Sequence, residues 1–213
     1  MTTVDFYFDF SSPYSYLAST RLKRLEGLGA RIALHPVFLG GIMNELGITP
    51  PARRPGHARA AYLLEDLQRW ADVYGIAFAM PSVFPMNTLR ALRAWSFVER
   101  ERKEWDWMHS IFDAVWGGAG LDVSQLDVLR DRAEAIGVDP QVLVREVESS
   151  EAKDRLKADT TSAIERGVFG VPTFFIGEEM YFGNDRIHFV EARLQGRPLR
   201  RTDDRGPGHS QAG

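Results

Sequence analysis

Apolar and polar residues alternate from the start of the chain: Val4, Phe6, Phe8 and Phe10 interleave with Asp5, Tyr7 and Asp9. Period two sends successive side chains to opposite faces, so this stretch predicts a strand with one face in a core, ending at Ser11 and Ser12. Pro13 suits the first turn of a helix, because its missing N–H would be unpaired there anyway. Tyr16, Leu17, Leu22 and Leu25 then supply an apolar helix face as far as Gly27 and Gly29. Ile32, Leu34 and Pro36 alternate within residues 31–38 and predict a second strand. Strand, helix, strand implies a parallel pair joined by a crossover helix.

Residues 40–56, rich in glycine and proline, predict a loop. Helical periodicity follows at about 57–74, 87–104, 105–116, 123–136, 139–148 and 150–166, with no strand among them. The pattern flips again at Val171: residues 173–176 and 180–182 predict two short strands around the turn Gly177-Glu178-Glu179, and residues 185–194 a closing helix. The two ends therefore share one sheet, and the expected class is α/β, a thioredoxin-like sheet interrupted by an all-helical insertion. Residues 1–38 and 167–195 would form the discontinuous thioredoxin-like domain and residues 39–166 the insertion. The Arg- and Asp-rich tail at 196–213 is expected to be disordered.

Composition narrows the function more than the fold. With 26 basic and 29 acidic residues, the chain carries no general attraction for phosphate backbones, so no nucleic-acid partner is expected. The opening MTTVDFYFDF lacks the basic start and apolar run of a signal peptide, and nothing approaches the roughly 18 apolar residues of a membrane span. A cytoplasmic protein without a membrane partner is the expectation. Cysteine is absent, which excludes disulfides, thiolate metal sites and a cysteine nucleophile. The five histidines are scattered without metal-ligand spacing, so no metal is expected. Any thiol chemistry here uses a borrowed thiol.

Two motifs carry a resemblance. SPYS, residues 12–15, opens the first helix, where redox-active thioredoxin-type folds carry CxxC, with hydroxyls in place of thiols. GVFGVPTFFIG (167–177) followed by YFGNDR (181–186), together with FYFDF (6–10) and YLLEDLQRW (62–70), resembles the 2-hydroxychromene-2-carboxylate isomerases and the related kappa-class glutathione transferases over roughly residues 1–195. The resemblance implies a disulfide-oxidoreductase-A-like, kappa-transferase-like fold, glutathione as cofactor, and a homodimer. It also implies that Val171-Pro172 is a cis peptide, leaving the backbone of Val171 free to pair with the cysteinyl unit of glutathione in strand-like fashion. Gly183, Asn184, Asp185 and Arg186 are implied to hold the γ-glutamyl end, its ammonium against Asp185 and its carboxylate against Asn184 and backbone N–H groups.

Ser12 has two readings. A serine at this position caps helices very often. No histidine or lysine near it in sequence would activate it as a nucleophile, so beside the C-terminal motif it is better suited to donating a hydrogen bond. A thiolate held at the helix N-terminus would have a lowered pKa, which makes Ser12 the expected thiolate stabiliser. Ser11 ends the strand, and Ser15, one turn in, is expected to be structural.

For the substrate, the resemblance implies a small, flat aromatic carboxylic acid in a largely apolar pocket with few polar anchors. Candidate anchors are Asn87, Arg59 and Tyr62, which could equally be a helix cap, a solvated charge and a core residue. The chain departs from its relatives at Ile48, where an asparagine is common, and at Asn44, where some carry a lysine; Arg59 stands for another lysine. Trp95, Trp105, Trp107 and Trp116 are expected in helix packing, with Trp107 or Trp116 possible pocket walls. Three functions fit: a glutathione-dependent isomerase of an aromatic-catabolism intermediate, 2-hydroxychromene-2-carboxylate to trans-o-hydroxybenzylidenepyruvate in type; a kappa-like glutathione transferase; and a non-catalytic thioredoxin-fold binding module.

Overall fold

The computed structural model describes residues 1–48 and 57–197, except for the side chains of residues 57–60. Four strands, β1 (Thr2–Phe8), β2 (Ala30–Pro36), β3 (Thr173–Ile176) and β4 (Glu179–Phe182), form one sheet in the order β2-β1-β3-β4. β1 runs parallel to β2 and antiparallel to β3, which pairs antiparallel with β4. Phe6 lies opposite both Leu34 and Phe174, so the two ends of the chain meet at the centre of the sheet. All four residues of β3 are buried, as a strand between two others requires when both sheet faces are covered.

The single helix expected after Pro13 is two, α1 (Pro13–Ser19) and α2 (Leu22–Gly27). Between them the Ser19 hydroxyl donates to the Tyr16 carbonyl and the Thr20 hydroxyl to the Leu17 carbonyl, each at 2.7 Å, offering those carbonyls local partners where the helix ends. The glycine-rich stretch read as a loop begins instead with a helix, α3 (Leu39–Glu45). Gly40 and Gly41 serve close packing there: a Cβ on Gly40 would fall 2.7 Å from the Phe38 ring. Residues 49–56 of that stretch, and residues 198–213 of the tail expected to be disordered, lie outside the described residues.

The middle of the chain is helical: α4 (His57–Tyr74), α5 (Leu89–Arg93), α6 (Trp95–Arg100), α7 (Glu104–Trp116), α8 (Leu126–Ala135), α9 (Pro140–Glu148) and α10 (Ser150–Glu165). The pattern at 87–104 is thus interrupted at Ala94. The closing helix α11 (Ile187–Leu194) is preceded by one 3-10 turn, Asn184–Arg186. None of the described helices is long and apolar enough to cross a membrane.

The core lies on both sides of the sheet. On one face Phe6, Phe8, Phe10 and Phe174 pack with Trp95, Trp107, Phe112 and Trp116. On the other, Tyr7, Val37, Val171 and Phe175 pack with Ile42 of α3 and Ala163 of α10. The polar face expected for β1 is therefore covered, and each of its carboxylates needs partners. Asp5 takes them from His35 and Arg166, both at 2.9 Å. Burial opposes its charge, but these two partners outweigh it and hold the carboxyl below the usual range.

Of the helices in the middle of the chain, α9 and α10 begin on side-chain caps, whereas α5 to α8 have none. Asp139 accepts from the amides of Gln141 (2.8 Å) and Val142 (3.2 Å), with Pro140 beginning α9. Asp139→Ala is expected to lower stability by about 1 kcal/mol in urea denaturation; a change indistinguishable from zero would show that α9 is held by packing alone.

Candidate active site at the junction of the first helix and the cis-proline turn

The site grows from the C-terminal end of β1. Ser12 sits before Pro13 in extended conformation (φ −97°, ψ 112°), and its hydroxyl accepts from the Ser15 amide at 3.1 Å. The cap reading of Ser12 is therefore correct. The same hydroxyl also donates across the molecule to the carbonyl of Val171 at 3.3 Å. Val171-Pro172 is cis. A long bond to a neutral carbonyl is weak, so the Ser12 proton can turn to a better acceptor at little cost.

Around Ser12 the hydrogen-bonding capacity is uneven. Pro13 has no N–H, and the Tyr14 amide finds no acceptor among the described residues. The Ser15 hydroxyl, expected to be structural, is fully buried and has no partner among those residues. Tyr14 instead reaches outward, donating from its phenol to Asp66 of α4 at 2.9 Å. Burial, the Asp66 carboxylate and the nearby Tyr62 and Asp185 hold that phenol above its ordinary range. Tyr62 and Asp185 thus both lie near the Tyr14 phenol, although they are far apart in the chain.

The segment expected to hold the γ-glutamyl end is tied to the cis-proline turn. The Gly183 amide donates to the Pro172 carbonyl at 2.9 Å. Gly183 has φ +103°, and a Cβ there would lie 2.7 Å from the Asp185 carboxylate, so only glycine suits the position. Asn184 is buried, its side-chain oxygen accepting from Tyr74 at 3.1 Å, while its Nδ2 has no partner among the described residues. An unpaired buried amide donor is costly and is the group a ligand carboxylate would satisfy. Asp185 and Arg186 are half exposed and paired with each other, so Asp185 keeps acceptor capacity toward an ammonium.

The substrate candidates are less unified. Tyr62 is 58% exposed, so it is not a core residue. Arg59 lies in the first turn of α4, its side chain outside the described residues. Asn87 is exposed, and its side-chain oxygen accepts from the Leu89 amide at 3.1 Å, as a helix cap does. It also lines a polar cavity of about 220 Å³ with Arg90, Arg93, Ser124 and Glu148, none of which belongs to the Ser12 group.

Trp107 and Trp116 are fully buried and form no pocket wall, their indole N–H groups donating to the Ala91 and Phe10 carbonyls. The apolar surface lies one layer out. Phe84, 40% exposed, packs edge-on against Trp116, with exposed Met80 and Val83 on the same segment. Trp116 in turn holds the carbonyl of Phe10, two residues before Ser12. The run MPSVFP signals only a proline-rich loop, and its position beside the strand end depends on the tryptophan beneath it.

Residues 3–195 match the family of DSBA-like thioredoxin domains. A 2-hydroxychromene-2-carboxylate isomerase of Pseudomonas putida is 37% identical to this chain over 94% of the chain and 98% of its own length. A solved structure of a selenomethionine-labelled 2-hydroxychromene-2-carboxylate isomerase, 35% identical, superposes with a TM-score of 0.84 over 91% of this chain and 95% of that one. More distantly, a glutathione S-transferase kappa 1 of Caenorhabditis elegans is 28% identical over 90% of each chain.

Proposed function

We propose, for a chain that belongs to the 2-hydroxychromene-2-carboxylate isomerase family of DSBA-like thioredoxin domains, the activity of a glutathione-dependent isomerase acting on a flat aromatic acid of the hydroxychromene carboxylate type. The observation that carries this reading is the Ser12 hydroxyl facing the Val171 carbonyl across the cis-proline turn, with the unpaired Asn184 amide joined to the same turn through Gly183. Glutathione, when bound, supplies a thiol that can add to a conjugated acid and leave again. Ser12 donates a hydrogen bond to the sulfur and favours its thiolate form, with the Tyr14 amide adding a second donor at the helix start. Val171 offers its backbone groups to the cysteinyl unit. Asn184 satisfies its Nδ2 on the γ-glutamyl carboxylate, and Asp185 receives the ammonium. In this reading the protein works in the cytoplasm as a homodimer.

Calorimetric titration with glutathione and with S-methylglutathione, alongside the ultraviolet absorbance of the thiolate over a pH series, tests the reading. Glutathione is expected to bind with a thiol pKa below its free value, and the methylated form more weakly, because a thioether cannot carry the charge that Ser12 favours. If neither binds at concentrations on the order of millimolar, a non-catalytic binding module or a different thiol replaces this reading. A transferase of the kappa kind is separated by the fate of the thiol: consumed in transfer, regenerated in isomerisation.

A further inference from the structure

One buried carboxylate joins three chain segments around the site. Asp9, 1% exposed, follows β1 and sits three residues before Ser12. Its Oδ1 accepts from the Ser11 amide at 2.9 Å and from the Thr88 hydroxyl at 2.7 Å, and its Oδ2 from the Leu39 amide at 2.8 Å. The Asp9 carbonyl takes the Ser12 amide at 3.0 Å. The segments so joined are the turn that presents Ser12, the start of α3, and the residue after Asn87 that opens α5.

No cation pairs with Asp9 among the described residues; two backbone amides and the hydroxyls of Thr88 and Ser11 carry its interactions. Burial pushes its carboxyl above the usual range, against the pull of these donors. For stability alone such a group is a poor choice, since an apolar residue of similar size would avoid the desolvation penalty. What the carboxylate provides is geometry: its lone pairs, on one rigid group, reach the strand end and the starts of α3 and α5 at once.

We infer that Asp9 is a positioning residue that holds the Ser12 turn in register with the start of α3 and with the Asn87-Thr88 segment. This inference rests on the isomerase reading for its kinetic consequence, but the clamp itself does not. A displacement of the order of 1 Å between a nucleophile and its partner costs far more in turnover than in binding. Thr88 is the place to test it, because removing Asp9 outright risks the fold.

Thr88→Val preserves shape and deletes one donor; Thr88→Ser keeps the donor. The expected result is that Thr88→Val binds glutathione within about twofold of the unmodified protein but loses roughly tenfold in kcat at saturating glutathione, while Thr88→Ser recovers to within about threefold. Amide hydrogen exchange at Ser11 and Leu39, the two amide donors to Asp9, should speed up in Thr88→Val and not in Thr88→Ser. Unchanged exchange and unchanged kinetics in Thr88→Val overturn the inference. So does a loss that serine fails to restore, since that follows from packing and not from the hydroxyl. If the unmodified protein neither binds glutathione nor turns over, the isomerase reading fails, and the exchange experiment still decides whether the clamp exists.

Discussion

Ser12→Ala is expected to raise the pKa of the bound glutathione thiol by about one unit or more and to reduce kcat/KM roughly 10- to 100-fold. A hydrogen bond to a charged acceptor is worth about 1.5–3 kcal/mol, and that range converts to these factors when the charge is present in the reacting state. The substitution also removes the N-cap of α1, whose hydroxyl accepts from Ser15 at 3.1 Å, so stability should fall by about 1 kcal/mol. The two losses are separable, because a folded fraction near unity leaves the kinetic deficit intact. Ser11→Ala supplies the control. Ser11 meets Asp9 through its backbone amide, which alanine retains, and through its hydroxyl, which alanine loses, so its loss of turnover should be smaller than that of Ser12→Ala. Equal deficits in the two variants would remove Ser12 from the mechanism.

The largest effect on stability is expected at Trp116. The side chain is fully buried, its ring lies parallel to Phe78 at 6.0 Å and meets Phe84 edge-on at 5.9 Å, and its indole N–H donates to the Phe10 carbonyl at 2.8 Å. Trp116→Ala should destabilise the protein by about 3–5 kcal/mol, the cost of the lost apolar contacts plus the cavity left behind. It also strands the Phe10 carbonyl without its donor. Trp116→Phe, which keeps an aromatic ring and loses the N–H, should cost about 1–3 kcal/mol, and the difference between the variants measures the packing contribution. Denaturant unfolding monitored by circular dichroism reads both. A Trp116→Ala protein within about 1 kcal/mol of the unmodified one would show that the 78–86 segment and the strand end are not held together through this ring. Because Phe10 immediately precedes Ser11 and Ser12, the alanine variant should also lose more turnover than its unfolded fraction explains.

Much of this was legible along the chain. Alternation located β1 and β2, the turn after Ile176 located β3 and β4, and period 3.6 located most of the helices, with α4 matching its expected span. Local competition explains two failures. Hydroxyls at Ser19 and Thr20 offer the carbonyls of Tyr16 and Leu17 partners where the first helix ends, which apolar spacing does not register. The glycines at 40 and 41 read as loop residues because their packing against Phe38, which makes small side chains useful, is invisible until Phe38 has a position. Asp9 shows a third kind. By alternation it belonged to a polar face, whereas α3 and α10 cover that face and bury it. Whether the second side of a sheet is open or covered depends on segments more than thirty residues away in sequence.

The sequence by itself determined the α/β class and the absence of a thiol of the protein's own. These follow from local rules: side-chain period, proline at a helix start, and which residue types can perform a given chemistry. Only the tertiary structure decided that the Ser12 hydroxyl meets Val171, that Gly183 binds the Asn184 turn to Pro172, and that Trp116 carries Phe84 to the strand end. It alone revealed Asp9 as the common acceptor of three segments. Each of these is a contact between residues distant in the chain, and a hydrogen bond of 3 Å depends on how whole elements pack, which no local pattern specifies.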